Sequence, residues 1–141
     1  MRVFDFMESV KRIYVVAEWL PFSLRQQVED PVELGYSRDD AIFTIRQVCL
    51  GLAHCHDRGI VHMNIDLSSI RSATNGTRVA IKLCEFERAE RLPEERRSVI
   101  VDPLIATDFF TAPEVGSGDF GVAADMWSVG IVFFSLYVFE I

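Results

Sequence analysis

The stretch "TAPEVGSGDFGVAADMWSVG", Thr111–Gly130, leads from a polar, proline-bearing loop into the segment "ADMWSVGIVFFSLYVFEI", which is apolar on nearly all sides. A helix with no polar face must be covered by protein or by lipid. The membrane reading is the weaker one: the run past Gly130 is short, is interrupted by Ser135 and closes on Glu140, whereas a span needs about 20 mostly apolar residues. A fully buried core helix is therefore expected, with Asp125 and Trp127 at its polar start, and no membrane partner.

The rest of the composition agrees with a packed interior. At 141 residues, half of them hydrophobic, the chain is near the common size of one domain and can bury a sizeable core. A net charge of −7 leaves no basic footprint, so nucleic acid is not the expected partner. Cys49, Cys55 and Cys84 form neither a CxxC pair nor an even framework, which favours a reducing compartment. The opening "MRVFDFMESVKR" has charges interrupting its apolar residues and no small-residue cleavage site, so it is not a secretory signal. An intracellular, cytoplasmic protein is expected.

Working toward the N-terminus, Val3–Phe6 and Ile13–Ala17 are short runs rich in β-branched and aromatic residues, and predict two antiparallel strands. "EWLPFSL" reads as a turn-like connector. Ser23 is a candidate cap for a short helix over Leu24–Glu29, ended by Pro31. Ser37, followed by Asp39 and Asp40, is a plausible N-cap for a longer helix to about Asp57, since Ile42, Ile45, Val48, Cys49, Leu52 and Cys55 recur at spacings of three and four. "SIRSATNGTRVAIKLCEF" predicts strand, Asn-Gly turn, strand; Asn75-Gly76-Thr77 also fits a glycosylation pattern, but the hairpin reading is preferred. Glu90–Asp108 lacks a sustained period and reads as a long surface loop.

Taken in order, strand, "VVAEWL", a helix ending "GLAHCHDRGIVH", a loop, a hairpin, "IKLCEFE", a long loop, "TAPEV" and "DMWSVGIV" resemble the middle of a eukaryotic protein kinase domain, across essentially the whole chain. "TAPEV" followed by "DMWSVG", both downstream of "IVH" and "CEF", is the strong joint signal. The resemblance implies an α+β fold, with the last small-lobe strands and the start of the hinge in residues 1–18 and a partial, mainly helical large lobe in 19–141 that ends in the buried central helix. It implies ATP and Mg as cofactors. Ala17 falls at the gatekeeper position, and Glu18, Trp19 and Leu20 on the hinge that meets adenine through backbone groups. His62-Met63-Asn64 matches the His-Arg-Asp of the catalytic loop, Ser69 the metal-binding Asn, and Glu85-Phe86-Glu87 the Asp-Phe-Gly. Ala112-Pro113-Glu114 is the family's Ala-Pro-Glu unchanged. Thr107 matches the threonine of serine/threonine kinases.

The departures from that pattern fall on the groups that do the chemistry. Phosphoryl transfer depends on positioning and on charge neutralisation at the phosphates. Asn64 replaces the aspartate that accepts the substrate proton, a loss worth about 10²–10⁴-fold in rate. Asp66 replaces a lysine and reverses the sign of the local field; its use as a displaced base is the lesser alternative. Ser69 and Glu85 keep oxygen atoms for a metal but with altered reach. Met63 removes the arginine that would clamp a phosphate on the following loop, so activation through Ser98, Thr107 or Thr111 is not expected. Glu87 replaces a glycine and should narrow the backbone movement there.

What survives is scaffold. His62 and Phe86, with Val3, match an apolar stack through the kinase core, and Asp125 matches the group that fixes the catalytic-loop backbone. His62 reads as a core histidine; His54 and His56 lie about 200° apart on their helix and are not a metal pair. No GxGxxG occurs, and Lys82 in "VAIKL" stands in the wrong place in the order to be the phosphate-pairing lysine, so it reads as a surface lysine. The phosphate-covering loop and the arginine expected opposite Glu114 would lie outside this stretch. The expected function is a catalytically impaired, pseudokinase-like serine/threonine-kinase fragment acting as a binding or regulatory module. The alternative is a divergent kinase whose missing parts lie elsewhere. Self-association through the uncovered central helix is expected of the segment alone.

Overall fold

β-branched and aromatic residues place Val3–Glu8 (β1) and Ile13–Ala17 (β2) in strands, paired antiparallel with Phe6 opposite Val15 and an irregularity between Val3 and Asp5. β1 runs two residues beyond the expected Phe6. The turn between them closes by a hydrogen bond from Ser9 N to Arg12 O at 2.8 Å. The computed structural model describes residues 1–29, 37–76, 78–93, 99–100, 109–117 and 119–138. Pro31, Thr77, Ser98, Thr107, Phe139 and Glu140 lie outside them.

The connector after β2 is not wholly a turn. Phe22–Ser23 (β3) pairs antiparallel with Ile70–Ser72 (β5), which pairs with Ile81–Leu83 (β6) in a three-stranded sheet. Ser23 also caps Leu24–Glu29 (α1): its hydroxyl accepts from Gln26 N at 3.2 Å, and Gln26 Oε1 accepts from Ser23 N at 3.0 Å. Such reciprocal caps satisfy two backbone donors at once. Arg38–His56 (α2) uses the same device, with Ser37 as N-cap and Asp40 reaching back. Although burial opposes it, hydrogen bonds from Ser37 and Arg78 hold the Asp40 carboxyl below its usual range.

The predicted face of α2 is shifted at its start. Ala41 and Thr44 are buried beside Val48 and Leu52, while Ile42 is 48% exposed. Residues 73–80 separate β5 from β6, so the hairpin is wider than a two-residue Asn-Gly turn; Gly76 in that loop has φ +139°, a conformation that favours glycine. The stretch expected to be one long loop contains two short strands: Glu90–Arg91 (β7) pairs with Ile60–Val61 (β4), and Val99–Ile100 (β8) pairs with Asp119–Phe120 (β9).

Ala123–Val138 (α3) is the helix of the opening stretch. Val129, Val132 and Leu136 meet Val48 and Leu52 of α2, Leu24 of α1 and Ile70 of β5 in the main core cluster. Each such side chain contributes about 1.5–3 kcal/mol on burial. A second cluster joins Ala112, Val115, Phe120 and Ala124, with Met63 packed on it. The expectation of all-round burial does not hold within this chain: Trp127, Phe134 and Tyr137 are exposed, because α1 and α2 cover one side of α3 and none of the described residues covers those three. Both strands of the β1–β2 ribbon are likewise exposed along nearly their whole length.

Candidate functional site

The loop from Gly59 to Ile70 is shaped by backbone hydrogen bonds before any side chain acts. Gly59, with φ +67°, turns the chain out of α2 and donates to His56 O at 2.9 Å. β4 then delivers His62 and Met63 to Asp125 at the start of α3. The Asp125 carboxylate, 1% exposed, accepts from His62 N and Met63 N, both at 2.9 Å. His56 Nε2 donates to the same carboxylate at 2.8 Å. One buried anion thus has three donors, which is what burial of a charge requires.

His62 is fully buried and its ring lies 4.3 Å from that of Phe86, centroid to centroid. Burial disfavours the imidazolium and lowers the His62 pKa despite the opposing pull of Asp125. Its Nδ1 accepts from Asn64 N at 3.3 Å, whereas Nε2 has no hydrogen-bond partner among the described residues. Val3, expected to continue this stack, is half-exposed on β1 and takes no part in the core cluster.

The base-position residue and the lysine-position residue have separate occupations. Asn64 Nδ2 donates to Glu87 Oε1 at 3.1 Å and approaches Glu85 O at 3.5 Å. Asp66 Oδ1 accepts from Ser68 N at 2.8 Å and Ser69 N at 2.7 Å, and Oδ2 lies 3.8 Å from Arg25 Nη2. Ser69, fully buried, accepts from Asp66 N at 3.0 Å and donates to Asp66 O at 3.1 Å through its hydroxyl. Its oxygen is committed to the loop backbone.

Glu85 and Met63 both adopt left-handed backbone with φ 64° and 65°, at a cost of about 1–3 kcal/mol each that the surrounding contacts must offset. Glu87, expected to restrict the segment in place of glycine, sits in the 3₁₀ turn Phe86–Arg88; the left-handed residue is Glu85. Burial, and then the charges of Asp66 and Glu87, raise the Glu85 pKa against the pull of Arg71, 3.9 Å away. Among the described residues no three His, Cys, Asp or Glu side chains are placed to hold a metal ion together. Ser69 Oγ, the second oxygen that the resemblance assigns to a metal, is engaged with the loop backbone.

The segment Ala17–Leu20 is braced from below by two cations of the β5–β6 hairpin. Arg71 Nε donates to Leu20 O at 2.7 Å and Nη2 to Pro21 O at 3.3 Å. Lys82, read from sequence as a surface lysine, is half-exposed but pairs with Glu18 at 2.5 Å, and Arg2 N also donates to Glu18. Ala17 is partly buried, Leu20 buried, and Trp19 82% exposed. A cavity of about 20 Å³ touches Asn64, Asp66, Thr111 and Ser128, room for roughly one water. A larger one of about 380 Å³ lies between α2 and β6; Phe86 and Lys82 line it, but Asn64, Asp66, Ser69 and Glu85 do not.

The model of the protein kinase domain matches residues 1–141. The chain belongs to the protein kinase domain family. Mitogen-activated protein kinase 10 of Arabidopsis thaliana is 28% identical over 131 residues, covering 92% of this chain and 31% of that protein. A probable serine/threonine-protein kinase of Encephalitozoon cuniculi is 33% identical over 132 residues, 92% of this chain and 23% of the other. Cyclin-dependent kinase C-2 C of Arabidopsis thaliana is 31% identical over 123 residues, 86% and 18% respectively. This kinase domain segment spans less than a third of the length of each of these relatives.

The α+β expectation and the kinase resemblance hold, and Asp125 accepts from the backbone of His62 and Met63. Arg25 and Arg71 were not singled out from sequence, and His56 was named there only to exclude a metal pair with His54. The partners of His56, Arg25 and Arg71 lie 69, 41 and 51 residues away, respectively, so no local pattern announces them. No helix among the described residues is long and apolar enough to cross a membrane.

Proposed function

We propose that this kinase domain segment serves as a catalytically impaired binding or regulatory module rather than as a phosphotransferase. The observation that carries the reading is the internal commitment of the catalytic loop. Asp66 spends its carboxylate on Ser68 N and Ser69 N, and Ser69 spends its hydroxyl on Asp66. Kinases use ATP and magnesium, with a carboxylate to orient the substrate hydroxyl and metal ions to neutralise the phosphates. Here the base position carries an amide with no comparable basicity. Asn64, Asp66, Ser69 and Glu85 are the positions at which the loss of chemistry is assigned, and Ala17–Leu20 remain the segment that would meet adenine.

Intact scaffold beside altered chemistry is what retention as a binding surface would leave. The Asp125 anchor and the His62–Phe86 contact support that reading. Divergent catalysis has one observation in its favour: Glu85 retains a carboxylate that hydrogen-bonds to no backbone donor among those described. The test is phosphotransfer from radiolabelled ATP with magnesium by the full-length protein. The expected result is incorporation at background. Incorporation that disappears in Glu85→Ala would establish the divergent enzyme instead.

A further inference from the structure

Two departures from the family pattern touch each other. Asn64 stands at the catalytic-loop base position and Glu87 at the glycine position two residues after Glu85, and the amide of the first donates to the carboxylate of the second at 3.1 Å. The contact belongs to a short zipper. The same amide group approaches Glu85 O at 3.5 Å, and between them the His62 and Phe86 rings meet at 4.3 Å. Three consecutive residues, 85 to 87, thereby face residues 62 and 64.

The chemistry of this pair has a direction. An amide offers donors to a carboxylate; a carboxylate at position 64 would offer none. An aspartate there would set two anions about 3 Å apart at a solvent-exposed contact, so that repulsion replaces the hydrogen bond. Glu85 and Asp66 already add negative charge nearby, and Arg71 faces Glu85 rather than Glu87. The buried His62 is held toward its neutral form and offers little counter-charge.

We propose that Glu87 and Asn64 form a built-in conformational latch: the Glu87 carboxylate accepts from the Asn64 amide and ties residues 85–87 to the catalytic loop, an arrangement that depends on an amide at 64. An aspartate at 64 alone opens the latch. The inference concerns the contact itself and stands apart from the proposed function.

The test inverts the polarity of the hydrogen bond in the full-length protein. Asn64→Asp is expected to lower the melting temperature and to speed trypsin cleavage after Arg88 and Arg91 by about 5–10-fold, the equivalent of one lost hydrogen bond. Glu87→Gln alone is expected to change both less, since its amide oxygen still accepts from Asn64. The double variant Asn64→Asp/Glu87→Gln, in which the new amide donates to the new carboxylate, is expected to recover at least half of each loss. A single Asn64→Asp that melts and cleaves as the parent overturns the latch, as does a double variant no better than the single one. Should Asn64→Asp be insoluble, solubility of the double variant supports the latch and its insolubility overturns it.

Discussion

Asp125 is the residue on which the loop geometry most depends. It satisfies the buried donor at His62 N and the partly buried donor at Met63 N, and receives a third hydrogen bond from His56. Asp125→Ala strands all three, and each unsatisfied buried donor costs about 1–3 kcal/mol. Denaturant unfolding should show a loss of about 3 kcal/mol or more; a loss below about 1 kcal/mol would mean that the loop is held by something else. His62 makes a pH prediction. Its folded pKa lies below the ordinary 6.5 because burial penalises the charge, so the unfolded chain takes up a proton there before the folded chain does. The stability it contributes is complete above the unfolded value of 6.5 and is lost as pH falls from there through the lower folded pKa. His62→Gln should therefore shrink the drop in melting temperature between about pH 7.5 and about pH 5.5. Asp125 and His62 were legible in sequence because each sits inside a recognisable motif. His56 was not, because a histidine on a helix face says nothing of a carboxylate that the fold brings to it from 69 positions away.

At the level of elements, caps explain why some boundaries could be read in advance. Ser23 and Ser37 each begin a helix with a reciprocal partner three residues on, Gln26 and Asp40. Ser37→Ala should cost about 1 kcal/mol through loss of the cap, seen as a lower denaturant midpoint with an unchanged slope. An equal effect from Ile42→Ala would show that position, not capping, decides the stability of α2. The two-residue strands β3, β7, β8 and β9 had no such signature. Two residues carry no periodicity, and each strand exists only because a partner from another part of the chain pairs with it. The width of the β5–β6 loop was missed for a related reason: Asn75-Gly76 marks a turn but does not say how many neighbours the turn leaves unpaired.

For the molecule as a whole, the unmatched feature is the amount of large apolar side chain left outside. Phe6 at 71% and Phe134 at 58% exposed stand on the β1–β2 ribbon and on α3. An isolated two-stranded ribbon is marginal in water. The 141-residue segment, produced alone, should sediment with a concentration-dependent mass, and Phe134→Gln should shift it toward monomer. A concentration-independent monomer for the parent segment would contradict this. The apolar character of α3 was plain in sequence; which side of it meets α2 was not, since an all-round apolar helix gives no azimuth to read.

The Asp125 anchor also orders events in time. The donors at His62 and Met63 are made some sixty residues before the carboxylate that receives them. During synthesis they emerge, stay hydrated and remain without a fixed shape until α3 has been added and has docked on α2. Contacts of such long sequence separation form late. The segment of the protein that most resembles an enzyme's working loop is therefore among the last to be set, and a nascent chain halted before Asp125 carries the residues of that loop without its shape.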